Sequence, residues 1–387
     1  MSKWAGLRAG AVAVACAAAM LAAAGPAAAA GTPGWRIVAT FGASFGYPSL
    51  SAGTAVSASQ AWVGGDISQP TSSLFLARWN GAKWARVRGP RQFTNLSGVS
   101  VSDGTVAASR GAMWTFPAIS SSRTNVYALR LAAGRWTTYT LAGASWIDAA
   151  AVFSPSDVWA FGQAVPARPV LGFGPPYAAQ FNGHRWRRVP IPGVPLSITV
   201  LSPVDIWAFG PTARTAGNFN QTYIAMHWTG HGWTTRTLPR MRASGGKLAF
   251  PSGLAVLHGD SQWMTEEFHC PSPACVPPQP PGILLAHWNG RAWLRVLESS
   301  RYELPSPEPD GHGGLWINAL DMRSLSSVYL HYANGKLTRM QPPATSAGSP
   351  ANVGAPIPIP GTNSAWGTGD IPLGGGVYAG AIFKFGP

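Results

Sequence analysis

The 387-residue sequence predicts an all-β fold, a seven-bladed β-propeller whose N-terminal strand completes the last blade. Three observations carry that expectation. A Trp-centred phrase recurs, clearest as SPSDVWAFG at 154–162 and SPVDIWAFG at 202–210. Its seven tryptophans, Trp62, Trp114, Trp159, Trp207, Trp263, Trp316 and Trp366, are separated by 52, 45, 48, 56, 53 and 50 residues. A second phrase follows most of them: WNGAKW at 79–84, FNGHRW at 181–186, WTGHGW at 228–233 and WNGRAW at 288–293. Finally, the tail ends in AIFKFGP without the Trp-bearing strand that should follow, and GWRIV at 34–38 supplies it. Joining tail to head restores the aromatic–Gly–Trp phrase and removes two free sheet edges, which an open solenoid would not do.

In chain order, residues 1–30 read as a Sec-type signal peptide. Lys3 and Arg8 precede an Ala/Val/Leu-rich run, and Ala28, Ala29 and Ala30 form a small-residue cleavage site before Gly31. Cys16 lacks the Leu of a lipobox, and no second apolar span follows, so the product is expected to be secreted, without a membrane span and monomeric. Residues 34–38 are the closing strand. The blades run over about 39–88, 89–138, 139–189, 190–237, 238–297, 298–340 and 341–387. Each reads as four short strands, a to d, in the third blade AAAVF, DVWAFG, YAAQF and HRWRRV. SPS links a to b, and NG, read as a two-residue hairpin turn, links c to d. Aromatic side chains each bury roughly 150–250 Å², so face-to-face blades obtain a large core from short strands.

The SPxDxWAFG and HWxGxxW phrases resemble the Trp-rich repeats of exported bacterial propellers, loosely grouped with Kelch-type, galactose-oxidase-like and sialidase-like repeats. The resemblance covers 34–387 and implies the frame, which many functions share. Its enzymatic members are not matched at their chemistry. The SPxD turns lack the Gly-x-Thr-Trp ending of a sialidase Asp box. A copper-radical site needs a Cys to crosslink with Tyr, whereas Cys270 and Cys275, with four residues between them in an exported chain, are expected to form a loop-stapling disulfide. GASFG at 42–46 fits G-x-S-x-G without the strand–turn–helix context of a nucleophile elbow. Asp157 and Asp205 are expected to cap their own turns.

Removing Lys3 and Arg8 leaves 26 cations against 14 acids. Half of those cations fall on strand d or in the turn before it, where charge discourages edge-to-edge pairing; a basic rim holding a polyanion is the alternative. No nucleic-acid module is present. Recognition is expected on the face bearing the b–c and d–a loops. Four residues after the strand-b Trp stand Asp66, Gln163, Glu267 and Asp370; blades 1 and 7 are ring neighbours, so Asp66 and Asp370, with Glu267, are candidate catalytic carboxylates. Trp146, beside Asp148 and Gln163, is a candidate sugar-stacking platform. No cofactor is expected, a divalent cation at these carboxylates being the one exception. The function expected is a binding or scaffold module for an extracellular glycan, an anionic cell-wall polymer or a protein, with a glycoside hydrolase or lyase as the alternative.

Overall fold

The computed structural model describes residues 34–42, 48–68, 71–120, 124–166, 174–212, 221–258, 261–268, 281–343, 351–374 and 377–386. The signal segment, Cys270 and Cys275 lie outside them. Seven antiparallel sheets follow one another along the chain, with two single-turn 3₁₀ segments as the sole helices among the described residues. None of the described residues forms a helix long and apolar enough to cross a membrane. Blades 1 to 6 each take four consecutive strands, beginning at Pro48, Ser100, Ala144, Ser197, Phe250 and Tyr302. Blade 7 is composite. Its strand b (Ala365–Gly374) and strand c (Val377–Phe385) are completed by Trp35–Phe41, with Trp35 opposite Phe385 and Arg36 opposite Lys384. The predicted splice therefore closes the ring.

The Trp phrase has a physical basis at each of its positions. Trp62 packs toward blade 2, while Trp366 packs toward blade 1, so each strand-b indole fills a seam between blades. The Gly three residues later is a close-approach position. A Cβ on Gly65 would lie 1.8 Å from the carbonyl oxygen of Ser49, and one on Gly210 would lie 1.7 Å from that of Val194. Opposite each strand-b Trp, strand c supplies a polar side chain. Arg78, Arg130 and Lys384 place their charge 5.3, 5.8 and 5.8 Å from the indole centroids of Trp62, Trp114 and Trp366. In blades 4, 5 and 6, His227, His287 and His331 take that register position, with ring centroids 4.0, 4.5 and 4.2 Å from Trp207, Trp263 and Trp316.

Two local expectations are corrected. Asp157 and Asp205 receive cross-strand partners: Gln180 donates to Asp157 at 2.9 Å, and His227 Nε2 meets Asp205 at 2.8 Å. The turn itself is capped by Ser, since Ser154 Oγ accepts from Ser156 N–H and Ser202 Oγ from Val204 N–H. The two-residue NG turn occurs in blade 6, where Asn334 and Gly335 both have positive φ. In blades 1, 3 and 5 the hairpin has four loop residues instead, because the aromatics on either side pair directly, as Trp79 does with Trp84. Asn80, Asn182 and Asn289 each accept two backbone N–H bonds through Oδ1, leaving positive φ to the Gly alone.

Candidate functional site

Strand b of blade 1 (Gln60–Ile67) ends toward the loop face, and Asp66 sits one residue before that end. With Trp62 turned toward blade 2, Asp66 shares that side of the alternating strand. It lines a cavity of about 540 Å³ between blades 1 and 2. The lining also includes Ser68, Thr71, Ser72, Ser97 and Ser100, together with Leu96, Val99 and Val101. The cavity is held open by backbone pairing across the blades. Ser72 and Leu96 form an isolated bridge, and Ser72 Oγ accepts from Val101 N–H at 2.7 Å. Asn95 and Gly98, both at positive φ, turn the connecting chain around it.

Asp370 lies in strand b of blade 7 and meets blade 1 across the closing seam. Ser49 Oγ donates to its Oδ2 at 3.4 Å, and Ser49 is the residue paired with Asp66 on the neighbouring strand. Burial, reinforced by the charge of Asp370, pushes the Asp66 carboxyl up to about 6. Asp370 is also raised by burial, against the Leu50 N–H and the Ser49 hydroxyl that favour its charge. Its Oδ1 is enclosed without a hydrogen-bond partner. Asp66 thus lines the polar cavity, and the charge of Asp370 acts on it across the closing seam.

A second cluster stands on blade 3. Bulges in strand a (Ala144–Ser154) set Trp146 opposite Gln163 and leave Asp148 beside both. Gln163 Nε2 donates to Asp148 at 3.4 Å, and its Oε1 accepts from Gly174 N–H at 2.7 Å. Burial raises Asp148 to about 6, opposed by the Gln163 and Trp146 hydrogen bonds. Trp146 itself is half-buried against the core between blades 2 and 3. Glu267 belongs to blade 5, with blade 6 between it and Asp370. Among the described residues no three His, Cys, Asp or Glu side chains converge as a metal site would require.

Sequence reasoning passed over the hydroxyl wall and Glu266. The signal for the wall was the Ser/Thr density of SQPTSS and FTNLSGVS on either side of strands c and d of blade 1. Glu266 is fully enclosed, its Oε2 accepting from Met241 N–H at 2.9 Å while Oε1 has no partner. Burial raises it to about 7. The folded state therefore holds this proton more tightly than the unfolded chain, and stability falls as pH rises from about 4.5 to about 7. The penalty at pH 8 is on the order of 3 kcal/mol for a shift of this size. Glu266→Gln is expected to flatten the decline in Tm between pH 5 and pH 8 and to be the more stable protein at pH 8. Parallel Tm profiles for the two proteins would refute the assignment.

No protein-family model matches the chain, and no curated protein matches it in sequence. Solved structures do match. YCF48 bound to a D1 peptide is 10% identical at a TM-score of 0.53, covering 94% of this chain and 97% of that one. The GH74 xyloglucanase from Xanthomonas campestris is 11% identical at 0.52, covering 90% of this chain and 55% of that one. The BP39L lectin from Burkholderia pseudomallei is 13% identical at 0.48, covering 82% and 91%. At such identities the likeness establishes the propeller frame.

Proposed function

We propose that this chain is an exported binding propeller that takes a glycan in the cavity between blades 1 and 2. One observation carries the reading: a cavity of about 540 Å³ whose wall combines five hydroxyls with a single partly desolvated carboxylate, Asp66. Hydroxyls both donate and accept, as sugar hydroxyls do, and an ionised carboxylate accepts two of their hydrogen bonds strongly. The volume is in the range of small-ligand sites, which are about 300–1,000 Å³. The Ser72–Leu96 bridge and the Ser72–Val101 hydrogen bond tie the two sides of the wall together, which lowers the ordering needed on binding. A structurally similar propeller belongs to a xyloglucanase, which accords with a sugar ligand.

Glycan-array screening of the mature chain, followed by calorimetry on the best ligand, tests this. Asp66→Asn is expected to weaken binding about tenfold, the loss of one charge-assisted hydrogen bond. Because the carboxyl is raised to about 6, affinity is expected to fall as pH drops from 7 to 5. Trp146→Ala, on blade 3, is expected to leave affinity unchanged. Retained binding by Asp66→Asn with a flat pH profile would exclude the cavity.

The paired carboxylates favour a second reading, a glycoside hydrolase in which Asp66 is the proton donor at a value near 6. It predicts release of reducing ends from the bound glycan, abolished by Asp66→Asn and by Asp370→Asn. Binding without turnover leaves the first reading alone.

A further inference from the structure

The opposite face carries a different pattern. The a–b turns and the c–d hairpins of blades 1 to 6 emerge there, and each of those six hairpins presents a basic side chain in or directly after its turn. Blades 1, 2, 3, 5 and 6 place Lys83, Arg135, Arg185, Arg291 and Lys336 there, all exposed, and blade 4 places His231; in the composite blade 7, which has no such hairpin, Arg36 stands on the closing strand opposite Lys384. Protection of the outer strand does not explain all of them: Arg135 and Lys336 open strand d in blades 2 and 6, but the other three precede it. Strand d starts at Trp84, Trp186 and Trp293, so Lys83, Arg185 and Arg291 lie in the loops, off the sheet edge.

The hairpins hold these charges in place. Asn80 Oδ1 accepts from the N–H of Lys83 itself, Asn182 from Arg185 and Asn289 from Arg291. Arg135 and Lys336 directly follow two-residue turns with positive φ at both central positions. The ion pairs between described residues use none of the five. Three described acids at the a–b turns of that face are occupied: Asp157 by Gln180, Asp205 by His227, and Asp310 by His331 and its own turn. Among the described residues, the exposed large hydrophobic side chains in the turns of this face reduce to Val204 in the a–b turn of blade 4, with none in a c–d hairpin, whereas attachment to a lipid surface needs several apolar anchors.

We propose that the hairpin face binds a flexible linear polyanion, whose charged groups pass from blade to blade around the circle of cations. Flexibility is part of the claim. A chain of phosphate or carboxylate groups can follow a ring a few nanometres across, whereas duplex DNA, with a persistence length of about 50 nm, cannot.

Long-chain inorganic polyphosphate, titrated into the fluorescently labelled mature chain across a salt series, is the probe. Tight, salt-sensitive binding is expected, with each phosphate contact contributing about 0.7 to the slope of log affinity against log salt. Replacing Lys83, Arg135, Arg185, Arg291 and Lys336 together by Ser should lower the magnitude of that slope by about 3.5 and weaken binding at least tenfold. A control with the same net charge, replacing the exposed Arg88, Arg91, Arg187, Arg242 and Arg323, should keep the wild-type slope. Both variants should keep the wild-type Tm, since the replaced side chains are exposed. Equal losses in the two variants, equal affinity for duplex DNA of matched charge, or stronger binding to phosphatidylglycerol vesicles than to polyphosphate would each overturn the proposal.

Discussion

A chain lacking residues 34–41 is expected to lose cooperative folding. Trp35–Phe41 is the fourth strand of blade 7, hydrogen-bonded from Trp35 opposite Phe385 to Phe41 opposite Gly380. Trp35 is buried, stacked on Tyr329 of blade 6 at 4.2 Å, with Trp316 and Phe385 at 5.7 and 5.6 Å. It thus joins the chain's two ends and also binds blade 7 to blade 6. Removing the strand exposes the edge of Val377–Phe385 and empties the aromatic cluster together. Truncating a buried Trp alone costs about 3–5 kcal/mol, a large part of the 5–15 kcal/mol typical of a whole domain. Near-ultraviolet circular dichroism should collapse, and the protein should associate through the bared edge. A synthetic peptide of residues 34–42 added in trans should restore the signal. A deletion with unchanged Tm would mean that the ring does not depend on its splice.

Asp321→Ala is the second large effect, about 3 kcal/mol of destabilisation. Asp321 is fully enclosed at the loop-face end of strand b of blade 6 (Leu315–Asp321). Arg301 donates to it through Nε at 3.0 Å and Nη2 at 2.6 Å, Arg339 through Nη2 at 2.8 Å, and Arg323 through its backbone N–H at 3.0 Å. Alanine leaves two guanidinium groups side by side without their counter-charge. A broken buried pair costs about 3–5 kcal/mol; the lower end applies because both arginines keep partial contact with water. Hydrogen bonding from Arg301, foremost, holds the Asp321 carboxyl down at about 2. Its contribution is complete above the unfolded-state value near 4 and is lost as pH falls toward 2. Denaturant unfolding at pH 7 and pH 2.5 should therefore show a gap between wild type and Asp321→Ala that narrows in acid. A gap of equal size at both pH values would show that the carboxylate's charge is not what stabilises the site.

The repeat was legible because its signals are local and redundant. Gly65 and Gly210 must be Gly because a backbone carbonyl, of Ser49 in strand a and of Val194 just before it, presses on strand b. Asn80 and Asn182 recur because one side-chain oxygen can cap two N–H groups of a tight loop. Trp146, Asp148 and Gln163 were adjacent in prospect because they occupy the paired ends of strands a and b, where register alone makes neighbours. Counting four residues past each Trp found Asp66 and Asp370 by the same logic.

Other features left no local trace. Asp157 and Asp205 look like turn caps in sequence, yet their partners arrive from strand c, more than twenty residues away. Glu266 and Glu267 are identical neighbours on opposite faces of one strand, and it is Glu266 that is enclosed, with Met241 donating to it from 25 residues away. The circular order of the blades, the closing strand and the placement of cations at the hairpins follow from the sequence by itself, since period, turn chemistry and side-chain alternation act over a few residues. Which carboxylates lose their water, and which hydroxyls gather around Asp66, was decided by the tertiary structure. Desolvation sums over atoms from several blades, and no stretch of one strand contains that sum.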